Sequence, residues 1–110
     1  MRVVEISGRG RGIVAERKYR CGSVVHISPI VEVRLRDARG ILQQYIYSFG
    51  RSHALAFGFG SLFNHSRHPT LNVYQDVGRR ELMFRARRNI TVGDELTIDY
   101  GYTPVGYDGN

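Results

Sequence analysis

In the stretch FNHSRHPTLNVY, Asn64, His65 and Ser66 set an amide, an imidazole and a hydroxyl side by side, in a chain with one cysteine and four histidines. An amide and an imidazole can grip a polar ligand through both donor and acceptor atoms, and an imidazole beside a hydroxyl is also the material of nucleophilic catalysis. On residue type alone, His65 reads as well as a hydrogen-bonded structural histidine. Near the other end, VGDELTIDYGY carries three carboxylates, two of them adjacent, and two tyrosines. Asp94 and Glu95 could serve as acid and base, but adjacent strand positions point to opposite faces, which favours a hairpin-turn role. Tyr100 and Tyr102 are two apart and share a strand face. Such a pair suits the wall of a channel for a long amine, with ring surface for methylenes, an oxygen for the nitrogen and a π face for a cation.

A third stretch, GRGRGIVA at residues 8–15, contains the pattern G-x-G-x-x-A. A dinucleotide-binding fingerprint must open a helix after a strand, whereas here ERKYRCG ends quickly at Gly22 and a β-branched run follows. No P-loop lysine follows the glycines either. They fit a turn or bulge, where backbone comes close to a ligand or a neighbouring strand.

The elements that must position these groups are short and β-rich. Alternation and β-branching predict strands at 2–6, 24–27, 30–36, 71–75, 81–86 and 95–100, most of them bounded by Gly or Pro. The two strands flanking DVGRRE form a hairpin across Gly78. Residues 36–48, RDARGILQQYIYS, hold the one helix-like segment, and Gly40 with the β-leaning YIY reduces it to a short turn or irregular helix. The last residues, GYTPVGYDGN, read as a loop or tail. A mainly β single domain spanning 1–110, with 103–110 as its tail, is the expectation from 110 residues and 42% hydrophobic content.

No apolar run is long enough to span a membrane and no signal-like segment opens the chain, which points to an intracellular protein, cytoplasmic or at chromatin. The lone Cys21 forms no internal disulfide and no thiolate metal site, and reads as a buried or incidental thiol. Net charge is +6, and Lys18 is the single lysine. Residues 1–40 carry nine basic against four acidic side chains. Either a basic N-terminal face meets DNA phosphates or an acidic protein, or the arginines form an ordinary solvated surface.

Taken together in order, GRGIVA, LFNHS with its following proline, and GDELTIDYGY make the chain resemble the SET-domain family of protein lysine methyltransferases. That resemblance implies a β-clip-like fold of several short sheets with a C-terminal pseudoknot and little helix. It implies S-adenosylmethionine as cofactor, held by the Gly10, Arg11 and Gly12 turn and by Asn64 and His65, the histidine partly through its main chain. The N-H-S triplet is then a cofactor clamp, not a catalytic triad. Tyr100 corresponds to the family's catalytic tyrosine, and Tyr102 to a second tyrosine at the lysine channel. Tyr47 and Tyr45 either limit the number of methyl groups or pack in the core, and Leu62, Phe63 and Ile98 are core or channel wall. The implied partner is a protein substrate bearing the target lysine, a histone among the candidates. The sequence departs from the family pattern after N-H-S: Arg67 stands where a cysteine is usual, and Pro69-Thr70 replaces Pro-Asn, so that the asparagine's polar contacts are lost or shift to Asn72. Zinc-binding post-SET cysteines and pre-SET elements are absent from the sequence. Closure of the channel then falls to the tail around Tyr107, a second subunit in a homodimer, or another protein. A basic SET-fold module that binds nucleic acid or protein without turnover is the competing expectation.

Overall fold

The computed structural model describes residues 1–8 and 10–100, so Tyr102, Tyr107 and the 103–110 tail lie outside them. Within the described residues the strands are β1 (Arg2–Ile6), β2 (Gly10–Val14), β3 (Val24–Val33), β4 (Ile46–Phe49), β5 (Ser52–Ala56), β6 (Asn64–His65), β7 (Leu71–Asp76), β8 (Glu81–Ala86) and β9 (Glu95–Ile98). They form one sheet in the order β1-β2-β9-β6 and another in the order β4-β5-β3-β8-β7. The helical content is short 3-10 turns at Leu35–Asp37, Gly40–Gln44 and Gly58–Ser61.

Two of the expected strands, 24–27 and 30–36, prove to be one. β3 pairs with β8 as far as Pro29 opposite Glu81, then with β5 from Ile30 opposite Ala56 onward. A proline inside a strand removes a ladder donor, and β3 accommodates it where the strand changes partners: the Pro29 carbonyl accepts the Phe57 N–H at 2.9 Å, and the Ile30 N–H reaches the Arg80 carbonyl at 3.0 Å. The hairpin across Gly78 forms with Leu71 opposite Ala86 and Asp76 opposite Glu81. Its left-handed residue is Arg80, at φ 56°. The segment expected as a short turn or irregular helix divides into two 3-10 turns followed by β4, where the β-leaning tyrosine region becomes strand. The glycine-rich stretch, read as a turn or bulge, holds the turn at Gly8 and then enters β2.

The inward faces of both sheets meet over Phe49, Phe63, Phe84, Ile13, Leu71, Leu82, Ile90 and Leu96, all essentially without solvent contact. Phe63 and Phe84 pack edge to face at 4.9 Å. Burial of such aromatic side chains supplies the main favourable term, with the ring geometry adding to it. Thr70 and Thr97, both buried, lock β9 to the chain that follows β6. The Thr97 N–H donates to Thr70 Oγ1 at 2.9 Å, the Thr70 N–H donates to Thr97 Oγ1 at 3.1 Å, and the Thr70 hydroxyl donates to the Glu95 carbonyl at 3.1 Å. At the position where the family pattern has asparagine, Thr70 thus makes hydrogen bonds of its own to the β9 backbone.

Candidate active site

β9 brings the separate motifs together. It runs antiparallel to β2, with Ile13 opposite Leu96, and parallel to β6, with Asn64 opposite Thr97 and His65 opposite Ile98. A strand from the end of the chain is therefore inserted between the first hairpin and the N-H-S segment, the placement an expected C-terminal pseudoknot requires.

Asn64 donates one amide proton to the Arg11 carbonyl and the other to Glu95 Oε2, each at 2.9 Å. Two pure acceptors fix the amide's orientation, so the atom Asn64 offers a ligand is its carbonyl oxygen. Gly12 sits directly against this pair. A Cβ there would lie 2.7 Å from Glu95 Oε2, 2.8 Å from Asn64 Nδ2 and 2.9 Å from Ile6 Cγ1. Gly10 is needed for a different reason: its φ is 76°, and the space around it is open. Arg11 contributes its carbonyl oxygen to the site while its side chain is exposed.

His65 is placed by its main chain between these strands, with the following Ser66 N–H on the Ile98 carbonyl at 2.9 Å. Its ring does something more specific. Nδ1 accepts the Tyr100 backbone N–H at 2.9 Å, and the ring centroids of His65 and Tyr100 are 5.2 Å apart. An accepting Nδ1 leaves the ring proton on Nε2. The Ser66 hydroxyl accepts the His68 N–H at 3.1 Å, which ties it to its own loop. The imidazole thus positions the tyrosine segment.

Tyr100 is 57% exposed, yet its hydroxyl turns inward and donates to the Phe63 carbonyl at 2.8 Å. Partial burial pushes the phenol above its ordinary pKa, and the neighbouring Tyr45 and Glu95 add to the shift. Tyr47, on β4, donates to the Gly60 carbonyl at 2.5 Å and packs edge-on to Phe84 at 6.2 Å. Burial, with a smaller push from Tyr100, raises its phenol far above the usual range. Both phenols are neutral donors through the physiological range.

Two cavities meet at this cluster. The smaller, about 300 Å³, lies over Arg11, Gly12 and Asn64. The larger, about 580 Å³, is lined by Tyr47, Phe63, Ile98 and Asp99 among others. Tyr45, Ser61 and Tyr100 line both. Volumes of this size fall within, or at the low edge of, the range of about 300–1,000 Å³ usual for small-molecule sites.

The two adjacent carboxylates separate in the structure. Asp94 does take the expected turn role: the Thr91 N–H bonded to its carboxylate at 3.0 Å holds its pKa below the usual range, with Arg88 assisting. Glu95, expected to share that role, instead starts β9 and points at Asn64. Strand alternation sends the two carboxylates to opposite faces, but it is the pairing of β9 with β6 that brings Glu95 to Asn64. Tyr45, weighed between core and channel, is 37% exposed and belongs to the wall shared by the cavities. Ser61 and the Phe63 carbonyl carry no signature in the sequence.

A SET-domain family model matches residues 10–101. The chain belongs to the SET-domain family. Its curated relatives are lysine methyltransferases. The histone-lysine N-methyltransferase of Schizosaccharomyces pombe specific for H3 lysine-37 is 30% identical, over 84% of this chain and 67% of that one. The N-lysine methyltransferase KMT5A of Xenopus tropicalis is 28% identical, over 92% of this chain and 36% of its own length. This SET domain therefore spans about a third of the frog enzyme. Among solved structures, a Plasmodium falciparum protein assigned as a histone methyltransferase superposes with a TM-score of 0.79 at 26% identity, covering 93% of this chain and 97% of that one. KRYPTONITE in complex with mCHG DNA and SAH superposes with a TM-score of 0.72 at 25% identity, covering 97% of this SET domain and 24% of that chain.

Proposed function

We propose that the chain transfers a methyl group from S-adenosylmethionine to the ε-amine of a protein lysine. The observation that carries this reading is the wall of Tyr45, Ser61 and Tyr100 shared by the two cavities. The smaller cavity suits the cofactor. Gly12 lets Asn64 and Glu95 pack against its backbone where a Cβ would collide with both, and Arg11, Gly12 and Asn64 line the space assigned to the amino-acid moiety. His65 contributes through its main chain and by fixing Tyr100. When bound, the cofactor supplies a methyl group already activated by a sulfonium.

The larger cavity suits the substrate's amine. A lysine side chain lying against Tyr47, Phe63 and Ile98 loses water, which favours its neutral form over the ammonium. Tyr100 aligns the nitrogen toward the smaller cavity, and orientation of the two reactants is the larger part of the acceleration such a site needs. Its hydroxyl stays protonated, so the site works without a strong base. Tyr47, pinned to Gly60, limits how many methyl groups the amine can carry, and Tyr102, outside the described residues, is assigned to the same channel by family resemblance.

The substrate class we favour is a histone, with action at chromatin, on the strength of the fission-yeast relative. A second copy of the chain is the candidate for closing the larger cavity, and sedimentation equilibrium tests it: an active monomer at assay concentration removes the dimer from the account. Calorimetric titration with S-adenosylmethionine tests the cofactor assignment. Saturable binding that is lost in Asn64→Ala is expected, and absence of binding by the unsubstituted chain would defeat it.

A further inference from the structure

The basic surplus is not a face of the N-terminal residues, as their count suggested; the fold divides it. Arg11 lies opposite Glu5 in the β1–β2 register. Arg34 is paired with Asp37 at 2.8 Å and Arg79 approaches Asp76 at 3.8 Å. One part of the surface has no such balance. The turn holding Arg17, Lys18 and Arg20 is laid along the segment holding Arg85, Arg87 and Arg88, far away in sequence. Tyr19 and Ile90 exchange backbone hydrogen bonds at 3.0 and 2.9 Å, the Cys21 N–H donates to Asn89 Oδ1 at 2.9 Å, and the Gly22 N–H donates to the Ala86 carbonyl at 2.7 Å.

All six of these basic side chains are exposed. Two carboxylates lie on the same two segments. Glu16 is tied to the N-terminal amino group at 2.8 Å, and Asp94 faces Arg88 at 3.5 Å. This strip therefore carries six basic against two acidic side chains, a surplus of four out of the whole chain's six.

We propose that the strip formed by Arg17, Lys18, Arg20, Arg85, Arg87 and Arg88 binds the phosphodiester backbone of duplex DNA. Arginine forks pair with phosphate oxygens in a geometry that a single carboxylate does not saturate. The strip offers no platform for unstacked bases: Tyr19 is 8% exposed beneath Arg17, and Tyr74 is half-covered by Arg85 at 5.4 Å. Backbone charge without stacking selects a double strand over a single strand. The inference stands apart from the methyl-transfer reading, since no member of the strip lines either cavity.

The test is fluorescence anisotropy of a labelled duplex of about 20 base pairs, titrated with the whole chain across a salt series. Six phosphate contacts predict a slope of log affinity against log salt of about −5. Lys18→Gln/Arg20→Gln/Arg87→Gln should flatten that slope by about 2 to 3 and weaken binding at least about tenfold at low salt. Arg34→Gln/Arg36→Gln/Arg39→Gln removes the same charge elsewhere and should leave the slope nearly unchanged. Unchanged far-UV circular dichroism and Tm in both triple variants verify their fold. Equal weakening by the two triples, no saturable binding at low salt, or tighter binding of an RNA duplex of equal length would each overturn the assignment.

Discussion

Replacing Gly12 by alanine isolates the steric part of the proposed cofactor site. The new methyl would stand 2.7–2.9 Å from Glu95 Oε2, Asn64 Nδ2 and Ile6 Cγ1, well inside ordinary contact distance. The Asn64–Glu95 hydrogen bond must open for the methyl to fit. Overpacking of this kind costs about 1–3 kcal/mol, and a lost hydrogen bond to a charged group adds about 1.5–3 kcal/mol at most, since both partners can reach water. Alanine's lower chain entropy offsets about 0.5–1 kcal/mol. A net loss of about 2–5 kcal/mol lowers Tm by about 10–25 °C for a domain of this size. Affinity for S-adenosylhomocysteine should fall at least about tenfold, because the carbonyl oxygen of Asn64 is no longer aimed. Gly10→Ala is the matched control. It costs about 1–2 kcal/mol through its left-handed backbone but leaves Asn64 and Glu95 in place, so its affinity should change by about threefold or less. Calorimetry beside thermal melting separates the two. A Gly12→Ala chain that melts and binds like the unsubstituted one would refute the cradle.

Tyr47→Phe leaves the Gly60 carbonyl without its donor, so stability should fall by about 1–3 kcal/mol in urea titration, and mass spectrometry should find more highly methylated product if this hydroxyl limits methyl number. Thr70→Val removes the hydroxyl that joins β9 to its neighbour; a loss of about 1–3 kcal/mol is expected by denaturation, with cofactor affinity reduced because β9 carries Glu95. His26 accepts the Phe59 N–H at 3.1 Å, and burial, aided by the N-terminal ammonium, lowers its pKa below the ordinary value. The unfolded chain therefore binds the proton first. Stability should be flat above about pH 6.5 and fall as the pH drops through the window below it, and His26→Gln, which retains an acceptor, should remove that fall in Tm measured against pH.

Much of the site was legible in the sequence because its chemistry sits in contiguous motifs. The N-H-S loop, the early glycines and Tyr100 could each be marked, and the fold does bring Gly12, Asn64, His65 and Tyr100 together. What was hidden depends on pairing between distant segments. Glu95 becomes part of the site through the β2–β9 and β6–β9 registers, which no local pattern encodes. β5, with its SHALA sequence, lacks the β-branched signature and forms because Ala54 and Ala56 fit beneath the core. The division of β3 between two partners explains why Pro29 looked like a break. The basic strip escaped notice for the same reason, since Arg20 and Arg87 are neighbours only after Tyr19 has paired with Ile90.

The measurement that bears most directly on the central claim is mass spectrometry of core histones incubated with S-adenosylmethionine and either the unsubstituted chain or Tyr100→Phe. The account predicts methyl-lysine from the first and a rate at least about a hundredfold lower from the second, with both chains folded and binding cofactor alike. Methyl-lysine formed at equal rates by both would contradict the role given to Tyr100, and cofactor binding without any methyl-lysine would return the chain to the reading of a SET fold used for binding alone.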